Sequence, residues 1–290
     1  NVLADSVAVI VDVSDQVDRI QTNRGRNAQA DQFQTGTLTM RIVDQNSDFN
    51  PQNSSGPYFG LLDPMRKVQI TATYGASTFP IFSGFITSYT TVTPKDIGDV
   101  TYTTITAVDA FRLFQNAQIA TVTGATAGDL SGTRINEILD EIGWPSSMRD
   151  VDTGLTTLQA DPGTARTSLA AMNTVSLSEY GSLYVDASGS LVFQDRTVTA
   201  ASIGGTPTLF NDDGTNIGYF NALWRLDDTL VYNAASITRA GGTAQIATDA
   251  ASIAKYFTHS YNQQNLLMQT DAAALDYAQA YVASRKETSI

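Results

Sequence analysis

The chain has 290 residues, no cysteine, and 29 acidic against 17 basic residues, for a formal net charge of −12. Without cysteine there can be no disulfide, thiolate metal site or cysteine nucleophile. Without a basic stripe nothing displaces counterions from phosphate, which excludes a tight grip on nucleic acid. The length exceeds that of most single cores, so two or three lobes are expected, and a hydrophobic fraction of 42% is enough to fill them. No run approaches the ~18 apolar residues of a membrane span. The opening NVLADSVAV lacks the basic region and apolar block of a signal peptide.

In chain order, residues 1–120 read as strands. VAVIVDV (7–13) is apolar enough for a buried strand, and Arg24 and Arg26 in RGR read as a solvated loop. In TLTMRIV (37–43), Leu38, Met40 and Ile42 alternate with polar residues, and KVQITATY (67–74) repeats the period with Val68, Ile70, Ala72 and Tyr74. FPIFSGFITSY (79–89) and DVTYTTITAVDA (99–110) follow, separated from their neighbours by the turn-rich NSDFNPQNSSGP (46–57) and TPKDIGD (93–99). Five or more short strands with turn chemistry between them predict a barrel or sandwich.

The middle changes character. TGATAGDLSG (123–132) reads as a linker of small residues, and TRINEILDEIG (133–143) as a helix capped by Thr133 and stopped by Gly143 and Pro145, with Ile135, Ile138, Leu139 and Ile142 on one face. A second helix is expected after DPGT (161–164), with Asp161 as cap, Pro162 in its first turn, and Leu169 and Met172 facing the core. GSLYVDASGSLVFQDR (181–196) is the best hairpin in the chain, with Gly189 supplying the positive φ of its turn. From about 206 strands return in ALWRLDD (222–228), TLVYNAASITRAGG (229–242) and TAQIATD (243–249). DAASIAKYF (249–257) reads as a short capped helix or a turn. DAAALDYAQAYVASRK (271–286) reads as a longer one, capped by Asp271, with Leu275, Ala278, Tyr281 and Val282 inward and Arg285 and Lys286 at its negative end. The middle third, with 10 acidic and 4 basic residues over 121–205, carries half the net charge, as a solvent-facing lobe would.

No catalytic constellation emerges. A serine triad would need His259, the one histidine, together with a G-x-S-x-G elbow that is absent. Zinc lacks a second histidine or any cysteine, and neither a P-loop nor G-x-G-x-x-G occurs. The carboxylate pairs Asp140 and Glu141, Asp212 and Asp213, and Asp227 and Asp228 are sequence neighbours, so their side chains diverge and read as solvated turns and helix surfaces. Asp44, Asn46 and Asp48 match the first spacings of a calcium loop. Phe49 stands where glycine belongs and Ser55 where glutamate does, so a turn is the expected role. Trp144 and Trp224 read as core residues rather than a sugar-binding cleft. No catalytic, cofactor or metal residue is assigned.

Several runs, in order, resemble the tail-hub family of bacteriophage minor tail proteins. They are RGRNAQADQFQTGTLTMRIVDQNSDFNP (24–51), LLDPMRKVQITATYG (61–75) with FPIFSGFI (79–86), and DAFRLF (109–114). ILDEIGWPSSMRDVDTG (138–154), YGSLYVDASGSLVFQDR (180–196), and YNAASITRAGG (232–242) with DAASIAKYF complete the set. The resemblance implies a mainly β chain with an α+β insertion: a first β-barrel tube domain (1–120), an α+β lobe (121–205) and a second β-barrel tube domain with a C-terminal helix (206–290). It implies a homo-trimeric hub ring in the virion tail tip, joining the hexameric tail tube to threefold tip proteins. Such a ring contacts the distal tail protein, the tape measure protein and tip or fibre proteins, with no enzyme activity and no cofactor. DNA would pass through its lumen without sequence-specific binding, and an acidic bore would leave phosphate ungripped. Two other readings stay open: a distal tail protein or similar ring with one barrel per chain, and a carbohydrate-binding or hydrolytic tail module.

Overall fold

The computed structural model describes residues 11–27, 32–92, 100–198, 209–221 and 226–288. Strand outweighs helix, and three sheets carry the architecture. The first is antiparallel, in the order β1 (Val17–Asn27), β2 (Gln32–Val43), β5 (Tyr102–Val108), β4 (Ser77–Val92), β3 (Lys67–Tyr74). Its period-2 pattern works as expected: Leu38, Met40, Ile42, Ile105 and Ala107 point to one side and bury with Phe49, Phe82 and Ile86. The sheet is an open half-barrel with β1 and β3 at its edges. Two expectations shift here. RGR lies within β1 rather than in a loop, a strand without apolar alternation because it is exposed. Of the strand expected over 7–13, residues 7–10 lie outside the described residues and 11–13 form no strand.

Because β5 is short, its neighbours outrun it. β4 pairs with β5 only from Phe85 onward, whereas β3 pairs with β4 from Ser77 to Phe85. Likewise β2 meets β5 only from Thr37, while Gln32–Gln34 continue against Gly25–Asn27 of β1. Two double-stranded ribbons therefore leave the same end of the sheet, on either side of Val108.

The chain enters the middle lobe between them. Helix α1 (Phe111–Asn116) is followed by the small pair β6 (Gln118–Ile119) and β8 (Arg166–Thr167). Helices α2 (Ser131–Glu141) and α3 (Ser168–Glu179) then pack with a mixed sheet of β7 (Arg149–Val151), β10 (Leu191–Gln194) and β9 (Ser182–Val185). One core joins Phe111, Phe114, Ile135, Ile138, Leu139, Met172, Leu183 and Phe193 to Phe85 of β4 and Leu267. The β9–β10 hairpin is the expected one. Gly189 takes φ 93°, and Asp186 accepts N–H bonds from Ser188 and Ser190. Both ribbons hold this hairpin: a Cβ on Gly189 would lie 2.9 Å from Ser83 Oγ of β4, and Phe33 of β2 packs against Tyr184 with ring centroids 4.8 Å apart.

The helix starts differ from expectation for a reason local pattern does not carry. Thr133 is inside α2, not its cap. The helix begins two residues earlier because the N–H groups of Ser131 and Gly132 find the carbonyls of Thr156 and Thr153. A Cβ on Gly132 would sit 1.8 Å from Asp152 O, so only glycine allows this approach. Asp161 does not cap α3; it pairs with Arg166, and the helix starts at Ser168 with Thr167 Oγ1 accepting from Ala170 N. The 123–132 segment is a folded loop: Arg134, fully buried, donates to Thr126 O and Gln159 O and pairs with Asp129.

Glu179 holds this region together. Also fully buried, its Oε2 accepts from Ser131 Oγ at 2.7 Å, Thr156 N at 2.7 Å and Leu155 N at 3.1 Å, and Arg196 lies 3.3 Å from Oε1.

The third sheet orders β12 (Gln245–Thr248), β11 (Ala234–Arg239) and β13 (Ser260–Leu266), with β11 and β13 parallel. Helix α4 (Ala250–Tyr256) is capped as expected, Asp249 accepting from Ser252 N. Helix α5 (Asp271–Arg285) packs on the sheet through Ala274, Tyr277, Ala278, Tyr281 and Val282, with Leu275 half-buried. Its cap is Thr270, not Asp271, whose carboxylate instead takes Arg239 and Thr243. Among the described residues this unit is a three-stranded mixed sheet covered by α5, with α4 between β12 and β13 in the chain, and neither it nor the first sheet closes on itself. Residues 226–228 form no strand, and 222–225 lie outside the described residues.

Removing Glu179 orphans two buried donors, Ser131 Oγ and Thr156 N, and takes a partner from Leu155 N and Arg196. Breaking such a buried charged cluster costs about 3–5 kcal/mol. Glu179→Ala is therefore expected to lower unfolding free energy by that amount in urea titration, and a loss under about 1 kcal/mol would contradict the role given to it.

Candidate assembly surfaces

Of the residues singled out for chemistry, the structure brings His259 and Asp228 near one another and gives most of the others separate local roles. His259 Nε2 lies 3.1 Å from the Tyr256 carbonyl, a geometry in which the ring N–H donates, and 3.9 Å from Asp228. Among the described residues no hydroxyl side chain hydrogen-bonds to it. Asp140 pairs with Arg149 at 2.8 Å while its neighbour Glu141 accepts from Thr123 N. Asp213 closes a turn by accepting from Thr215 N and Oγ1, and Asp227 accepts from Thr229 N. Asp44 is buried under the 44–66 loop, accepting from Asp48 N, Phe49 N and Thr103 Oγ1. Its oxygens serve that turn, and among the described residues no three acidic or histidine side chains group as metal ligands. Trp144 is buried, its Nε1 donating to Met148 O and its ring edge-on to Phe114. Trp224 lies outside the described residues.

What the surface does offer is apolar. On the β3–β4 ribbon every residue from 71 to 81 is exposed, including Tyr74, Phe79 and Ile81. Of the inward face expected for β3, Val68 and Ile70 are half-buried, but Ala72 and Tyr74 project past the core. A second group occupies residues 209–221. There Asn211 N donates to Ile217 O and Phe210 bridges to Ile217, so Phe210 and Ile217 lie side by side with Leu209, Tyr219 and Phe220 also exposed. Both groups were legible only as a lack of charge: no Asp, Glu, Lys or Arg lies between Lys67 and Lys95, and none between Asp213 and Arg225.

Two buried joints link the elements. One is a tyrosine stack on the C-terminal sheet. Tyr180 ends α3 at φ 58° and stacks on Tyr277 (centroids 4.8 Å), while Tyr261 and Tyr281 lie face to face at 3.8 Å. Burial raises Tyr277 and Tyr281 above the ordinary phenol range. The other is Asp109, buried where β5 turns into α1, which accepts from Gly36 N at 2.5 Å and Phe111 N at 3.0 Å. Desolvation pushes its carboxyl up to about 6, against the opposing pull of those two N–H groups and of Arg24.

No protein-family model matches the sequence, and no curated protein matches it. The chain is similar to several solved structures. One is the 43 kDa tail protein of prophage MuSo2 from Shewanella oneidensis, at 14% identity and TM-score 0.48, covering 91% of this chain and 78% of that one. A tail protein from Neisseria meningitidis MC58 is 10% identical at TM-score 0.48, with 84% and 65% covered. Prophage tail protein gp18 from Listeria monocytogenes EGD-e is 9% identical at TM-score 0.45, with 87% and 66% covered. The chain thus spans about two thirds of the length of the last two. All three of these structural neighbours are tail proteins, two of them from prophages. Among the described residues no helix is long and apolar enough to cross a membrane.

The raised value at Asp109 has a definite sign. A carboxyl that holds its proton more tightly folded than unfolded adds stability below its ordinary value of 3.8, and that stability is lost as pH rises through about 6. Carboxyl NMR is expected to show Asp109 titrating near 6, and Asp109→Asn to flatten the pH dependence of unfolding between 4 and 6. A midpoint at or below 4 would contradict the joint as described.

Proposed function

We propose that this chain is a structural virion protein of a phage tail tip, a ring subunit that works through its interfaces and not through catalysis. The observation that carries the proposal is the open first sheet, which leaves two edge strands and a bare apolar ribbon unpartnered among the described residues. Monomeric proteins blunt such edges and keep apolar patches small, and a subunit destined for assembly has no need to. The ordered resemblance of 24–257 to tail-hub proteins supports the same reading and supplies its detail. In that detail three copies form a hub ring between the hexameric tube and the threefold tip, contacting the distal tail, tape measure and tip proteins. DNA passes through the bore, and the net charge of −12 suits passage without adhesion.

One observation favours a second reading. A hub chain carries two similar barrels, whereas among the described residues the first sheet has five strands and the C-terminal sheet three. A ring with one barrel domain per chain, of the distal-tail kind, would be hexameric.

Native mass spectrometry of the purified full chain separates these readings. The hub is expected at three times the chain mass and the one-barrel ring at six. A chain that stays monomeric up to high micromolar concentration would contradict both.

A further inference from the structure

We infer that the β3–β4 ribbon of one copy seats on the 209–221 segment of a neighbouring copy. This inference rests on the ring reading above and names the surfaces that would build the ring.

The geometry of the ribbon is the first argument. Among the described residues, β4 has β3 as its one ladder partner from Ser77 to Gly84, because β5 ends opposite Phe85. The base is anchored: Phe82 is buried in the first core, and Ser83 lies under Gly189. Beyond the base, both faces of residues 71–81 meet solvent. A two-stranded hairpin with no third strand or helix behind it is marginal in water. Yet this one carries Tyr74 at 85% exposure together with Phe79 and Ile81, and these gain only if something covers them.

What covers them is constrained by charge. Two copies each at −12 repel, so a contact between them is best made where neither bears charge. The ribbon lies in the charge-free run 68–94. In the 209–221 segment, Asp212 and Asp213 sit at the turn, and residues 214–224 are uncharged. An anionic lipid surface fits less well, since neither group carries the lysines or arginines that such a surface attracts.

The two groups are also distinct within one chain. Phe220 is 95% exposed and Tyr74 85%, so neither covers the other in the monomer. A contact between two different patches of identical chains is heterologous, and a heterologous contact either closes into a ring or runs on as a filament. A ring subunit needs this kind of contact.

The absence of native cysteine makes the test direct. Full-length Tyr74→Cys and Phe220→Cys chains are mixed and treated with a short bis-maleimide. A cross-linked pair is expected from that mixture, and not when Gln279→Cys on the outer face of α5 replaces Phe220→Cys. In parallel, Tyr74→Lys and Phe220→Lys, both at solvent-facing positions, are expected to weaken self-association at least tenfold while circular dichroism and the thermal midpoint stay those of the parent. If the parent assembles while both lysine variants assemble equally well and the cysteine pair does not cross-link, the arm serves another partner. The inference then falls and the ring reading stands. If the parent itself is monomeric, the ring reading falls, and the cysteine mixture at high concentration still decides whether arm and segment meet.

Discussion

A carboxylate that water cannot reach sets the frame of the middle lobe. Glu179, at the last position of α3, gathers Ser131, Leu155, Thr156 and Arg196, and so fixes where α2 begins and how the 152–156 segment returns beneath it. A buried carboxylate is costly without donors, and three of them converge on Oε2 while Arg196 faces Oε1. The next residue, Tyr180, takes a left-handed backbone and opens the tyrosine stack onto α5. One helix end thereby ties the middle lobe to the C-terminal sheet. At the other side of the lobe, the β9–β10 hairpin is held between the two ribbons of the first sheet. The three sheets meet through packed side chains and backbone pairing rather than through loose linkers.

That arrangement determines what faces outward. With the base of the β3–β4 ribbon fixed against the middle lobe, its tip is left uncovered among the described residues. The apolar tip and the 209–221 segment are surfaces whose exposure costs free energy in the isolated chain, a cost that association would relieve. This is the physical content of the claim that the protein works by assembly.

The legibility of the fold followed the reach of each signal. Leu38, Met40 and Ile42, the DASG hairpin, the Asp249 cap and the core face of α5 were readable because periodicity and turn chemistry act over a few residues. The start of α2 was not, since the partners of Ser131 and Gly132 lie more than twenty residues away in sequence. β1 was not, because an exposed edge strand has no reason to alternate. Asp161 and Asp271 looked like caps and proved to be ion-pair partners of Arg166 and Arg239, a choice that depends on where those arginines arrive in space. The carboxylate pairs were set aside on local grounds alone, since neighbours in sequence diverge on either kind of element. The apolar surfaces were written in the sequence only as missing charge, which gains meaning once the ribbon is seen to outrun β5.

The central claim is that this acidic, open-sheeted chain is a ring subunit of a tail tip. A cryo-electron microscopy reconstruction of the assembled protein tests it most directly. The account predicts a closed ring with a central bore, threefold for the hub, in which the β3–β4 ribbon is covered by a neighbouring copy. Particles with no ring, or a ring in which that ribbon stands bare in solvent with nothing seated on residues 209–221, would contradict it.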